Sequence, residues 1–341
     1  MTDHRAAERP AVDGDAGPAD GFGHGDQGGA GRLALACHVH PDGDALGSLL
    51  AFHLLCRAQG VDSVASWGEP FAVAPHYRFL PGLDRACPPA EFPSHPEVMV
   101  TFDCGSRRRL GELAEPAGRA AELIVLDHHD DNERYGTINV VDTGAASTAT
   151  VVHHLAAALG WELDHDSALN LYVGLVTDTG RFQYPNTSSE VFVLARELAG
   201  YGLPLGVITR ELFEKHRFAY LRLAAMALSR AHLDLDHRLV AAWVTAEDLA
   251  RHGVSFDETE GLIDLVRRTA EADIACVLKE APGEGLRVSL RSVSGIDVGR
   301  VAKRLGGGGH HFMSGFVSDA SMPVTIERIT AELAALVAAP A

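Results

Sequence analysis

Apolar and polar positions along this chain switch between two periods, and the switches divide it into blocks. Residues 33–38 form a short, almost unbroken apolar run, the pattern of a strand buried on both faces. A loop, 39–44, follows. From 45 to 59 the apolar residues Leu46, Leu49, Leu50, Phe52, Leu54 and Leu55 recur at helical spacing and stop at Gly60. Residues 61–67 predict the next strand. Two further apolar runs, 97–103 and 123–127, each end on an aspartate. Strands alternating with helices predict an α/β fold with a mainly parallel sheet flanked by helices.

The pattern is mostly helical from 147 to 230, broken by a loop at 177–182, and its latter part predicts a helical connector. Strand patterns return at 238–245, 274–279 and 286–291, the last after a turn at 281–285. A helix is predicted at 298–305, before the run Gly306, Gly307, Gly308, Gly309, His310. Four segments result: a disordered Gly-, Ala- and Asp-rich tail at 1–31, an α/β domain at 32–188, the connector at 189–234, and a smaller α/β domain at 235–341. No short-period repeat is present.

Composition narrows the class without naming a function. The chain has 341 residues, 46% of them hydrophobic and 22% charged, which suits two globular domains. It contains no apolar run of about 18 residues and no basic, then apolar, leader. Five scattered cysteines without a Cys-x-x-Cys pair predict reduced thiols and a cytoplasmic location. The net charge of −17 points away from duplex DNA, which is held by many Lys and Arg contacts to phosphate.

Candidate chemistry lies where the predicted strands end. In a parallel sheet the ligand sits beyond the carboxyl ends of the strands, and this edge collects His38, Asp42, Asp44, Asp103, Asp127, His128 and His129. His38, Asp42 and Asp44 share one strand-to-helix loop. Carboxylates with imidazole suit Mn²⁺ or Mg²⁺, while Asp42 or Asp44 could instead cap the following helix. Asp103 ends an apolar strand, which is costly for a carboxylate unless it is paired or metal-bound; a turn role competes. Asp178 follows another apolar run. Two divalent ions about 3.5–4 Å apart need a carboxylate-rich set of this size, one member bridging, to activate water for attack on phosphorus.

The segments 38–48, 103–106, 127–129 and 177–180 resemble the four motifs of the DHH-family phosphoesterases. Residues 289–292 and 306–315 resemble the associated DHHA1 domain. The stand-alone two-domain form is similar to the NrnA-like oligoribonucleases and pAp phosphatases, and relatives of this form also hydrolyse cyclic dinucleotides. The resemblance implies that His38 and Asp42 hold one metal ion, that Asp44, His128 and Asp178 hold the other, and that Asp103 bridges them. Mn²⁺ is the expected ion, with Mg²⁺ and Co²⁺ as alternatives. Asp127 would orient a neighbouring imidazole, and His129 would face the substrate phosphate.

From the second domain, Gly307, Gly308 and Gly309 would cradle phosphate with backbone N–H groups. His310, Arg291 and Ser292 would bind substrate. Met313 departs from the small residue usual in the family, and His40, His311 and Arg107 to Arg109 are read as surface positions. Cys104 is read as packing.

The resulting expectation is a homodimeric hydrolase that takes short single-stranded RNA and 3′-phosphoadenosine 5′-phosphate (pAp) to AMP. A cyclic-di-AMP phosphodiesterase is the alternative within the class, and a non-catalytic nucleotide sensor the alternative outside it. The intact ligand set speaks against the sensor, and its carboxylates against a structural Cys/His zinc site. Family II pyrophosphatases lack the Gly-Gly-Gly-His element. RecJ-type exonucleases carry additional nucleic-acid-binding domains.

Overall fold

Five parallel strands make the first sheet, and their order puts its ligand crevice beside His38. The computed structural model describes residues 31–281 and 285–338. The expected tail, apart from Gly31, and the tip of the turn at 281–285 lie outside the described residues.

In chain order the elements are β1 (Leu33–Cys37), α1 (Gly43–Ala58), β2 (Ser63–Trp67), β3 (Val98–Phe102), α2 (Ala114–Arg119), β4 (Glu122–Asp127), β5 (Ile138–Val141), α3 (Thr148–Leu159) and α4 (His165–Asp178). The sheet order is β2-β1-β3-β4-β5. The chain leaves β1 for β2 on one side and later enters β3 on the other. That reversal opens a crevice at the carboxyl ends of β1 and β3. The central strands are covered on both faces, which is why their sequences show no polar alternation. Edge strand β5 leaves Ile138 and Val140 exposed.

Helix α1 is buried almost throughout because α4 packs closely against it. Gly47 makes this approach feasible, since a Cβ there would collide with the carbonyl oxygen of Asn170. The helix begins at Gly43, ahead of the expected 45, so Asp44 lies in its first turn. Helix α4 runs through Asp178, so Thr177 and Asp178 belong to a helical turn and not to the expected loop. The chain then turns through Gly180, Arg181 and Phe182, all with positive φ (54°, 64° and 62°).

The segment expected as a connector holds α5 (Ser189–Ala199), α6 (Leu205–Thr209), a single π-helical turn (Arg210–Glu214) and α7 (Phe218–Ser229). Its packing is divided. Val191, Leu194, Leu198 and Ile208 join the core of the first sheet, whereas Tyr220, Leu223 and Ala227 join the core of the second.

The second domain comprises β6 (His232–Asp234), β7 (Leu239–Val244), α8 (Ala246–His252), α9 (Leu262–Val266), β8 (Ile274–Ala281), β9 (Gly285–Ser292), α10 (Val298–Arg304), β10 (Gly308–Gly309), β11 (Met313–Ser318) and α11 (Met322–Ala338). Its sheet order is β10-β11-β9-β8-β7-β6, with β7 and β8 parallel and the other pairs antiparallel. Alternate residues of β8 serve two cores: Ala275 and Val277 face α7 and α9, while Cys276 and Leu278 join the core that includes α10. The architecture is two α/β domains. Among the described residues, no helix is long and apolar enough to cross a membrane.

Candidate functional site

The carboxyl ends of β1, β3 and β4 deliver His38, Asp103 and Asp127-His128-His129 to one place. The start of α1 adds Asp42 and Asp44, and the end of α4 adds Asp178. His310 arrives from the hairpin between β10 and β11. Four groups of possible metal ligands result: His38, Asp42 and Asp103; Asp44, Asp103 and His128; Asp103, Asp127 and His129; and His128, His129 and His310.

Hydrogen bonds at the back of each imidazole fix what its front offers. His38 places Nδ1 2.8 Å from the carbonyl oxygen of Val39, and His128 places Nδ1 3.1 Å from that of Ala145. Each Nδ1–H donates there, which turns the Nε2 lone pair into the site. Both Nε2 atoms and Asp178 Oδ2 are buried without a hydrogen-bond partner. His128 Nε2 lies 3.3 Å from Asp178 Oδ2, 3.6 Å from Asp103 Oδ1 and 3.8 Å from Asp44 Oδ2. His38 Nε2 lies 3.6 Å from Asp103 Oδ2 and 3.9 Å from Asp42 Oδ2. Ligand atoms each about 2.1 Å from a shared ion stand roughly 3–3.5 Å apart, so these groups fit a divalent cation.

Asp103 divides its oxygens between the two sides, Oδ2 toward His38 and Oδ1 toward His128. Its backbone is in the left-handed region, φ 54°, an uncommon state for a residue other than glycine. Burial raises its pKa, but the neighbouring imidazoles of His38, His129 and His128 outweigh burial and hold the carboxyl well below its usual range. Asp44 and Asp178 shift the opposite way. Burial, then the charge of Asp103, pushes both well above the usual carboxylate range. A carboxylate crowd of this kind ionises fully only when positive charge is supplied.

Asp42 and Asp44 each hold two offices at once. Asp42 caps α1, its Oδ1 accepting from the N–H groups of Asp44 and Ala45 at 3.1 Å, while Oδ2 faces His38. Capping and ligation, alternatives on sequence grounds, are therefore compatible. Asp44 accepts from the Thr148 and Ala149 N–H groups at 2.6 and 2.9 Å, tying α1 to the start of α3. Gly174 makes room, since a Cβ there would stand 2.7 Å from Asp44 Oδ1.

Asp127 accepts from His129 Nδ1 at 2.7 Å and from the backbone N–H of His128 at 2.7 Å. Asn132 holds its other oxygen at 2.5 Å. Burial lowers the pKa of His129, but Asp127 and Asp103 overcome that and raise it to about 10. His310 stacks on His129 and is brought down to about 2 by burial and by the charges of His129 and His128. Asn132 and Thr148, whose hydroxyl donates to Asp103 Oδ1 at 3.0 Å, were missed in the sequence. Neither adjoins a motif residue.

The second-domain candidates separate. Arg291 lines a cleft of about 350 Å³ together with Asp42, Asp178 and Met313. Its Nε donates to the Tyr184 hydroxyl at 3.3 Å. Ser292 is buried, its hydroxyl without a hydrogen-bond partner. In the glycine run, the N–H groups of Gly306, Gly307 and His310 donate to the carbonyls of Lys303, Ala302 and Met313. The first two donors close the C-terminal end of α10, and the third closes the hairpin. A side chain on Gly307 would collide with the Gly315 carbonyl, and one on Gly308 would approach Asp131.

His40 departs from the expected surface position. Its side chain is 17% exposed, 4.0 Å from Asp257 of the second domain. His311, Arg107 and Arg108 are exposed. Arg109 is also exposed, yet its charge is felt at Cys104, Asp103 and Asp42. Cys104 is buried in the core beneath β3.

Comparison with known proteins follows the same division. Residues 32–175 match the DHH family, N-terminal domain, and residues 236–339 match the DHHA1 domain. The chain is 35% identical over 283 residues to the bifunctional oligoribonuclease and PAP phosphatase NrnA of Thermus thermophilus, covering 82% of each. It is 26% identical over 287 residues to the protein of the same name from Bacillus subtilis, covering 83% of this chain and 88% of that one. An exopolyphosphatase-related protein from Bacteroides fragilis shares the fold, with a TM-score of 0.80 at 24% identity over 89% of this chain and 92% of that one.

Proposed function

The chain belongs to the DHH family of phosphoesterases, with a DHHA1 domain in its second half, and from that premise we propose that it hydrolyses short oligoribonucleotides and pAp to AMP. The observation that carries this reading is the division of the Asp103 oxygens between His38 and His128, whose buried Nε2 atoms lack partners. His38 and Asp42 would hold one divalent ion. Asp44, His128 and Asp178 would hold the second, with Asp103 between them. Mn²⁺ suits this mixture of carboxylate and imidazole.

When bound, such a pair supplies Lewis-acid polarisation of a phosphoryl oxygen and a hydroxide nucleophile at neutral pH. The protein's part is orientation and proton delivery. Hydrolysis adds water across the bond between phosphorus and the 3′-oxygen; that bond breaks, and the leaving oxygen takes up a proton. With His129 Nδ1 tied to Asp127, Nε2 is the atom left to carry that proton. His310 and Arg291 close the opposite side against the phosphate, with Ser292 beside them in the strand and Gly307, Gly308 and Gly309 shaping the hairpin that delivers His310. The net charge of −17 supports short single strands over duplex DNA. The same reading makes the enzyme a cytoplasmic homodimer.

The test is product release from pAp, the dinucleotide pApA and cyclic di-AMP with Mn²⁺, beside an Asp103→Ala control. AMP from the wild type with a silent control sustains the reading, and the relative rates rank the substrates. No turnover of any of the three by the wild type overturns it.

A further inference from the structure

The cleft beside Asp178 carries features that cutting a phosphate ester does not require. It extends from Asp42 and Asp178 past Arg291 into a space of about 350 Å³, within the size range of small-molecule sites. Two flat platforms line it, each backed by an aromatic ring. The Arg181 guanidinium lies 4.6 Å from the centroid of the Phe213 ring. The exposed His216 imidazole is stacked on Tyr220, centroids 4.4 Å apart and planes 26° apart. Backed platforms of this type receive a heterocyclic base by stacking, at little cost in side-chain freedom.

Two uncommon backbone features place these groups. Arg181 sits within three consecutive left-handed residues, Gly180 to Phe182. Phe213 sits in the π-helical turn Arg210–Glu214. Both kinds of irregularity concentrate at functional sites, and here both open on the same cleft.

Charge decides which part of a substrate fits. The carboxylates lining the cleft away from Asp178 already have cationic or imidazole partners: Asp264 with Arg181 at 3.5 Å, Glu258 with Arg217 at 3.2 Å, and Glu260 with His76 at 3.2 Å. Beyond Arg291, the lining cation outside such pairs among the described residues is Arg268, exposed at the rim. A phosphate-bearing end would find little unspent positive charge there. An uncharged nucleoside needs none.

We infer that this cleft seats the second nucleoside of a dinucleotide, the one esterified through its 5′-oxygen to the phosphate under attack. The inference rests on the proposed reaction and deepens it: pAp lacks that nucleoside and pApA has it, so the two substrates differ by the group that this cleft would hold.

Steady-state kinetics with both substrates tests the assignment, using His216→Ala and Arg181→Asn, the latter because asparagine tolerates a left-handed backbone. The KM for pApA relative to that for pAp is expected to rise about tenfold in each variant, the loss of a base-stacking contact. A ratio unmoved in both variants overturns the inference. If the wild type cleaves neither substrate, the proposed reaction fails separately, and titration of the full chain with adenosine decides the cleft. Saturable binding that both variants lose sustains it, and no binding by the wild type overturns it.

Discussion

The imidazole of His310 lies stacked on that of His129, centroids 4.4 Å apart and planes 17° apart, although one comes from the second domain and the other from the end of β4. His310 also reaches within 4.0 Å of Asp178. The second domain thus completes the site with a side chain of its own.

Removing that side chain separates its role from metal binding. His310→Ala is expected to lower kcat/KM for pApA about 10²- to 10³-fold, the usual scale for a positioned hydrogen-bond donor to developing charge. Bound metal should remain at the wild-type level when assayed by elemental analysis. Loss of metal in step with activity would make His310 a ligand.

Asp44 and Asp178 should respond oppositely in chelator. Asp44 accepts two N–H groups at the start of α3, so Asp44→Ala leaves buried donors unpaired and should cost about 1–3 kcal/mol. The buried Asp178 has Oδ2 without a partner and a pKa raised by burial and by Asp103. Asp178→Ala should therefore be neutral or stabilising. Urea unfolding of both variants in EDTA checks the contrast, and equal losses would contradict it.

His53 gives the chain a pH-dependent stability independent of the site. It is buried on α1 with Nδ1 2.8 Å from the Ser63 hydroxyl and Nε2 without a partner. Burial, then the charges of Arg57 and Arg85, lowers its pKa to about 4 from an ordinary 6.5. Between those values the unfolded chain binds the proton and the folded chain refuses it. Stability is full above the unfolded pKa and falls as pH drops toward the folded one. The wild type should lose up to about 3 kcal/mol more than His53→Gln over that range, read from urea midpoints at pH 7 and pH 4. Parallel acid losses in the two proteins would contradict the assignment.

Much of the candidate site was legible because its members lie where a local pattern ends. His38, Asp42 and Asp44 share one strand-to-helix loop; Asp103 closes one apolar run, and Asp127 with His128 and His129 closes another. A parallel sheet gathers the carboxyl ends of its strands on one edge, so naming the strands locates the residues. The strand ends moved by only a residue or two, as boundaries do. The long α11 escaped, as did short elements such as β5 and α9.

Residue types and their attachment to strand ends were thus determined by the sequence alone, because both follow from short-range periodicity. The tertiary structure decided which oxygen of Asp103 faces which imidazole, that Asp44 also anchors α3, and that His40 turns toward Asp257. It also decided that the Gly307 N–H, expected to be open to an anion, is used to cap α10, and that Arg181 and His216 share one cleft. Each of these depends on how closely segments distant in sequence approach, as α1 and α4 do across Gly47 and Gly174. That approach is set by packing between elements, which no local pattern of apolar and polar residues encodes.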